Sequence, residues 1–253
     1  MVIDLNADVG ESFGRYTLGA DDELLAIVTS ANVACGAHAG DPQVMRRTVR
    51  LAVRHGVAVG AHPGFFDLQG FGRREMALSP EEVEDAVLYQ LGALAGVAAA
   101  EGARLTHVKP HGALYNMAAR DRALADAIAR AVAAFDRSLV LVGLAGSALL
   151  TAGRAAGLSV AAEAFADRAY EPDGSLASRR RPGSVLQNVD EVAARAVRLV
   201  REHRVQATDG STIVVEADTI CIHGDTPGAV ALARAVRRAL EANGIDVRAF
   251  ASR

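Results

Sequence analysis

Two hydrophobic periods alternate along almost the whole of this 253-residue chain, and that alternation constrains its fold more than any other feature. Short apolar or alternating runs, bounded by Gly, Asp or Pro, occupy residues 3–8, 31–35, 58–62, 105–109, 139–144, 159–165 and 219–223. Each predicts a β-strand. Between them the apolar spacing changes to three and four, as in Val83, Val87, Leu91 and Leu94, which predicts helices laying one apolar stripe on a sheet. Helix starts are marked chemically: Ser79, Pro80 and Glu82 combine a cap oxygen, a preset dihedral and a capping-box carboxylate, and Asp41–Pro42 and Thr226–Pro227 repeat the pattern. About seven βα units in unbroken alternation imply parallel strands joined by right-handed crossovers. The architecture is therefore a closed or nearly closed barrel, or an open doubly wound sheet. Polar residues end nearly every strand, as they would around a barrel mouth, whereas an open sheet concentrates them at one switch point. An α/β barrel forming a single domain over residues 1–253 is the expectation.

Composition narrows the function classes. At 51% hydrophobic residues, the chain has ample material for a core. A formal net charge of -3, with its Lys and Arg scattered, provides no basic patch to neutralise phosphates, so no nucleic-acid partner is expected. No secretory signal is apparent and no apolar run reaches the roughly 18 residues of a membrane span, so a cytoplasmic protein without a membrane partner is expected. Cys35 and Cys221 have no close cysteine neighbour and read as free thiols. Nothing matches a Walker loop or a dinucleotide fingerprint.

Two connections exceed ordinary βα lengths: residues 64–78, with Gly70, Gly72, Arg73 and Arg74, and residues 168–186, with Gly174, Arg179, Arg180, Arg181 and Pro182. Both are candidate active-site lids or, alternatively, solvated excursions. Residues 205–217, with Thr208, Asp209 and Gly210 between β-branched residues, predict a hairpin.

The first strand carries the clearest chemical signal. Asp4, Asn6 and Asp8 alternate with Ile3, Leu5, Ala7 and Val9, so all three polar groups share one face, where two carboxylates are costly unless they bind or pair with something. Calcium is excluded, because Gly10 lies one place too late for the loop turn and Arg15 stands where a bidentate Glu is needed. The same parity recurs at later strand ends: Asn32 and His38, His62, then His107, Lys109 and His111, then Glu163 and Asp167, then His223 and Asp225. Five of the seven histidines fall at such positions, against His55 and His203 elsewhere, and that aggregate points to one convergent site. The inventory suits hydrolysis or acyl chemistry at a carbonyl: Asp and His move protons near neutral pH, Lys109 stabilises an oxyanion or phosphate, and Asn32 orients a carbonyl. A divalent metal fits Asp and His from separate strands, with Asp8, His62 and His111 as its ligands, although no HExxH-like spacing is present. Cys35 reads as a small buried thiol rather than a nucleophile.

Taken together, several motifs carry a family resemblance: Asp4-Leu-Asn-Ala-Asp8-Val-Gly10-Glu11, Ser30-Ala-Asn32-Val-Ala-Cys35-Gly-Ala-His38-Ala-Gly40-Asp41, Ala61-His62-Pro63, Gly70-Phe-Gly72-Arg73, Val108-Lys109-Pro110-His111-Gly-Ala-Leu-Tyr115-Asn116, Phe165-Ala-Asp167-Arg168 and Cys221-Ile-His223-Gly224-Asp225. Their order over residues 3–245 resembles the lactam-utilisation (LamB/YcsF) family, which includes the A subunit of bacterial ATP-dependent 5-oxoprolinase. The resemblance implies a seven-stranded parallel (β/α) barrel of the glycoside hydrolase and deacetylase type. It further implies an enzyme that acts with B and C subunits to convert 5-oxo-L-proline, ATP and water to L-glutamate, ADP and phosphate. On that reading Asp8, His62, Lys109, His111 and Asp225 are catalytic, with Asp8 or His62 as base and Lys109 holding the anionic oxygen. Asp4, Asn6, Asn32, His38, Tyr115, Glu163, Asp167, Arg168 and His223 bind substrate. The chain departs from the family pattern at Gly64 and Phe66, where Ser and Pro are typical, and at Ser178, where Pro is common, so substrate fit or lid geometry differs there. Two rivals stand beside this reading: a metal-dependent deacetylase or amide hydrolase acting alone, and a non-catalytic substrate-binding subunit.

Overall fold

The computed structural model describes residues 1–179, 181–222 and 228–250. Its strands are β1 (Val2–Val9), β2 (Ser30–Ala34), β3 (Ala58–His62), β4 (His107–Val108), β5 (Val140–Leu144), β6 (Val160–Phe165), β7 (Arg204–Gln206), β8 (Thr212–Val214), β9 (Thr219–Ile222) and β10 (Asp246–Val247). Its helices are α1 (Asp21–Leu25), α2 (Pro42–His55), α3 (Pro80–Ala100), α4 (Gly112–Ala118), α5 (Arg122–Phe135), α6 (Ala148–Ala155), α7 (Val189–Glu202) and α8 (Ala229–Ala242). Strands β1 to β6 and β9 pair in parallel in that order, and β9 returns to β1 through Asp4 opposite Thr219 and Asn6 opposite Cys221. The barrel is therefore closed with seven strands, as the polar strand ends implied. β10 adds parallel pairing to the first residues of β1. It escaped the sequence reading because two residues carry no detectable period.

The helix caps form as their sequences dictate. The Ser79 side chain accepts from the Glu82 amide while the Glu82 carboxylate accepts from the Ser79 amide, and Asp41 accepts from the Gln43 and Val44 amides. The Thr226–Pro227 start lies outside the described residues. The expectation that no apolar run is long enough for a membrane span requires correction: α3, of 21 residues and mean hydropathy 1.2, passes that test by length and composition. Its Val83, Val87, Leu91 and Leu94 stripe is buried in the core that also holds apolar residues of α2 and α5. The hairpin forms as β7 and β8, pairing Arg204 with Val214. It braces the 168–186 excursion, since Thr208 N donates to Tyr170 O at 2.8 Å.

The period of two along each strand produces two different interiors. Outward residues such as Ile3, Leu5, Ala31, Val33, Val59, Val108, Leu141 and Ile220 are buried in the apolar shell shared with the helices. Inward residues are mostly polar, and the small apolar patch of Val142, Ala161 and Phe250 sits apart from that shell. The Phe250 ring packs edge-on against His107, with centroids 5.2 Å apart. Gly60 leaves the room that His107 fills, since a Cβ there would lie 2.1 Å from the His107 Nε2. Gly60→Ala is expected to destabilise the fold by about 1–3 kcal/mol, the usual cost of overpacking. Urea denaturation midpoints of the two proteins measure this.

Candidate active site

The inward groups form stacked layers. Lowest is Asp4, fully buried, whose carboxylate accepts from Thr29 Oγ1 at 2.7 Å, Ser30 Oγ at 2.6 Å and Thr219 Oγ1. Burial raises its pKa to about 6 against those three donors. In the next layer Asn6 is saturated: its Nδ2 donates to Glu163 Oε1 at 3.0 Å and Thr219 Oγ1 at 2.7 Å, while its Oδ1 accepts from Asn32 Nδ2 at 2.7 Å and Lys109 Nζ at 3.2 Å. Asn32 also donates to Asp8 Oδ1 at 2.9 Å and accepts from His107 Nε2 at 2.9 Å. Burial lowers the His107 pKa to about 3, so it serves as a neutral donor beneath the site.

Lys109 stands at the centre, 2% exposed. Its ammonium lies 2.9 Å from Asp8 Oδ1, 2.8 Å from Glu163 Oε1 and 3.1 Å from Cys221 Sγ. Burial opposes that charge, but the Asp8 and Glu163 carboxylates outweigh it and hold the pKa well above the ordinary lysine value. Tyr115 OH donates to Glu163 Oε2 at 2.7 Å, and burial beside that carboxylate keeps the phenol protonated. The Cys221 thiol is likewise pushed far up by burial. Cys35, which donates to Val33 O at 3.2 Å, is pushed up to about 12 for the same reason, in keeping with its reading as a buried thiol.

An imidazole cluster adjoins this centre. His62 Nδ1 donates to Lys109 O at 2.7 Å, and its Nε2 lies 2.9 Å from His111 Nδ1 and 3.3 Å from Asp8 Oδ2. His111 Nε2 donates to Phe71 O at 2.8 Å. That carbonyl comes from the long 64–78 connection, where Phe71 and Gly72 take φ values of +55° and +62° and a Cβ on Gly72 would meet His38 and His111. Phe71 and Gly72 thus pack against the site, while Phe66, Leu68, Arg73, Arg74 and Glu75 of the same connection are exposed. Burial, reinforced by His62, lowers the His111 pKa to about 3, and burial with His111 lowers that of His38 well below the usual value. Glu11 Oε1 lies 3.4 Å from His38 Nε2 and 3.5 Å from His111 Nδ1. Among the described residues, ligand atoms of Glu11, His38, His62 and His111 all fall within 4.8 Å of one another, a set able to hold a metal ion.

Above these groups opens a cavity of about 710 Å³, whose wall includes Asp8, Glu11, His62, Lys109, His111 and Tyr115 together with Arg73, Arg74, Arg120, Arg168 and Arg179. Arg168 is 6% exposed, donates from one terminal nitrogen to Ala177 O at 2.6 Å, and has no hydrogen bond at Nε. Burial, with Arg179 nearby, lowers its pKa to about 10, which leaves it charged at neutral pH. A site of this shape offers an acid–base pair at its floor and cations at its rim.

The LamB/YcsF family profile matches residues 3–253. The chain belongs to the LamB/YcsF family. A relative from Methylococcus capsulatus, named as the A subunit of 5-oxoprolinase, is 60% identical over 98% of this chain and 95% of its own length. Another of that name, from Geobacillus kaustophilus, is 58% identical over 98% and 96%. A solved structure of a lactam utilization protein from Thermus thermophilus superposes with a TM-score of 0.94 at 57% identity, covering 99% of this chain and all of that one.

In this LamB/YcsF member the residues expected from sequence separate by depth. Asp8, His62, Lys109, His111, Tyr115 and Arg168 line the cavity. Asn6, Asn32 and Glu163 lie in the hydrogen-bond layer beneath, His38 stacks behind His111, and Asp167 is buried off the lining. Asp4, expected to bind substrate, is instead closed off at the bottom by three hydroxyl groups. His223 and Asp225 lie outside the described residues. Outside the cluster, His55 ends α2 and His203 caps α7. The sequence reading missed Glu11 as a site residue, although it sits in the first motif, because it lies beyond the strand where alternation no longer reports direction. Asp4 also titrates in a defined sense: a carboxyl raised from 3.8 to about 6 on folding stabilises the fold fully below pH 4, and that contribution is lost as pH rises through 6. The loss is about 3 kcal/mol at 1.36 kcal/mol per pKa unit. Stability against urea between pH 4 and 7 should show this decline in the wild type and lack it in Asp4→Asn.

Proposed function

We propose that this LamB/YcsF member is the A component of an ATP-dependent 5-oxoprolinase, working with B and C subunits to open 5-oxo-L-proline to L-glutamate while ATP is cleaved to ADP and phosphate. The observation that carries the reading is the Asp8–Lys109 pair, 2.9 Å apart, on the floor of a cavity rimmed by arginines. Relatives named for the A component of 5-oxoprolinase, aligned over 98% of the chain, support the substrate.

The chemistry follows from the lactam. A five-membered lactam is unstrained and resonance-stabilised, so hydrolysis needs its carbonyl oxygen converted to a better electron sink. Transfer of the ATP γ-phosphoryl group to that oxygen does so, releasing ADP. Water then adds at the ring carbon, the C–N bond breaks as the nitrogen takes a proton, and a second water releases phosphate from the opened acyl phosphate. Asp8 Oδ2 is the acceptor for the attacking water's proton, since Asp8 Oδ1 is already engaged by Lys109 and Asn32. Lys109 stabilises charge on the activated oxygen by exchanging one of its present acceptors for it. Glu163, oriented by Tyr115 and Asn6, holds the ammonium during that exchange. Arg168, which borders the cavity, takes the substrate carboxylate, and the other rim arginines suit phosphate groups, for which the cavity has room. No phosphate-binding loop is encoded in this chain, which is consistent with partner subunits contributing to the nucleotide site.

A second reading, amide hydrolysis by this chain alone with a metal, is favoured specifically by the Glu11, His38, His62 and His111 convergence. The two separate on one assay: glutamate release from 5-oxoproline by the purified chain with and without its B and C partners, ATP and a chelator. Release that requires partners and ATP supports the first reading, and ATP-independent release by the isolated chain overturns it. Within the active complex, Asp8→Asn is expected to lower kcat by about 10²–10⁴-fold, the usual loss for a general base. Arg168→Lys should raise KM for 5-oxoproline about tenfold or more with a smaller change in kcat, because it weakens a charge-assisted contact to a part of the substrate that does not react.

A further inference from the structure

Proton counting at the imidazole cluster leads past the lactam reading. The Lys109 and Phe71 carbonyl oxygens accept but cannot donate, so His62 carries its proton on Nδ1 and His111 on Nε2. The two nitrogens that face each other at 2.9 Å, His62 Nε2 and His111 Nδ1, are therefore both lone pairs in the neutral rings. Asp8 Oδ2, at 3.3 Å from the first, and Glu11 Oε1, at 3.5 Å from the second, bring two more lone-pair atoms to the same point. One added proton would join only two of the four atoms; a metal cation satisfies the group.

We infer that this point is a binding site for one divalent transition-metal ion of the zinc or cobalt kind, ligated by His62 Nε2, His111 Nδ1 and the Glu11 carboxylate. Two nitrogens about 2.0–2.1 Å from a common ion and at right angles to it are about 2.9 Å apart, the separation found here. The rings are also nearly perpendicular, at 88°, so both can aim in-plane at one ion. Each ligating imidazole has its other N–H held by a backbone carbonyl, the outer-shell arrangement that fixes tautomer and direction. His38 is excluded as a ligand despite its proximity. Its ring stacks flat on His111, 3.7 Å between centroids and 2° between planes, so an ion in the plane of His111 lies off the His38 lone pairs. His38 instead orients Glu11, from which its Nε2 stands 3.4 Å. It is 1% exposed and neither of its nitrogens makes a hydrogen bond, a cost that a fixed Glu11 carboxylate would offset. Glu11, His62 and His111 all border the cavity, so the remaining coordination positions open onto it, with Asp8 Oδ2 alongside as a proton acceptor.

Metal binding is read on the isolated chain without substrate, nucleotide or partner, so its outcome is separate from that of the lactam assay. Protein stripped with a chelator and titrated with Co²⁺, followed by its visible spectrum, and with Zn²⁺, followed by calorimetry, should bind one equivalent saturably. His111→Gln and Glu11→Gln should weaken binding by more than about 100-fold, beyond the usual 10–100-fold range of outer-shell changes. His38→Asn should keep one-equivalent binding. Urea midpoints without metal establish that each variant is folded. Absence of saturable binding by the wild type overturns the site, as does wild-type affinity in folded His111→Gln, while loss of binding in folded His38→Asn overturns the ligand assignment.

Discussion

The rest of the structure depends on keeping one ammonium charged inside a barrel. Lys109 is buried among Asp8, Glu163, Asn6 and Cys221, drawn from β1, β6 and β9, so its charge ties together strands far apart in sequence. A buried charge of this kind survives only when partners and hydrogen bonds surround it, and removing one partner strands the others. Every polar layer below serves that condition. Asn6 holds both Glu163 and Lys109, Asn32 holds both Asn6 and Asp8, and Tyr115 closes the remaining oxygen of Glu163. The polar interior costs folding stability compared with an apolar one, and what it provides is a set of groups whose positions are over-determined before any ligand arrives.

The imidazole side of the site is set by backbone rather than by charge. His62 is fixed by the carbonyl of Lys109, so the residue that carries the positive charge also orients its neighbour's ring. His111 is fixed by Phe71, in a connection whose left-handed Phe71 and Gly72 bring the backbone so close that a Cβ on Gly72 would meet His38 and His111. Ala113 N donates back to Gly72 O at 2.9 Å, which ties the start of α4 to the same turn. The chemistry of the two faces therefore differs in kind: a charged pair that can exchange acceptors beside a cluster of imidazole rings oriented by backbone carbonyls.

Much of the fold was legible because strand and helix periods are local properties. The seven strands stand where their apolar runs stand, though β4 shrinks to His107–Val108, and the Ser79 and Asp41 caps form from their own few residues. Parity also reported correctly that Asp4, Asn6 and Asp8 share one face. Parity carries no measure of depth, however. It could not separate Asp4, saturated by hydroxyls at the sealed end, from Asp8, which opens onto the cavity. Nor could it follow Glu11 past the end of β1, or anticipate β10, whose pairing exists only because the chain returns beside Val2.

The chain's sequence by itself determined the alternation of elements, the parallel barrel they imply, and the residue types available at each strand end, since these follow from periods of two and 3.6 and from cap chemistry within a few residues. Only the tertiary structure decided which of those residues meet. Strand register placed Asp8 opposite Asn32 and Asn6 opposite Cys221, closure brought Glu163 to Lys109, and a distant turn chose which nitrogen of His111 holds a proton. Those outcomes depend on distances between segments separated, in the widest case, by more than two hundred residues, and no local pattern along a chain records them.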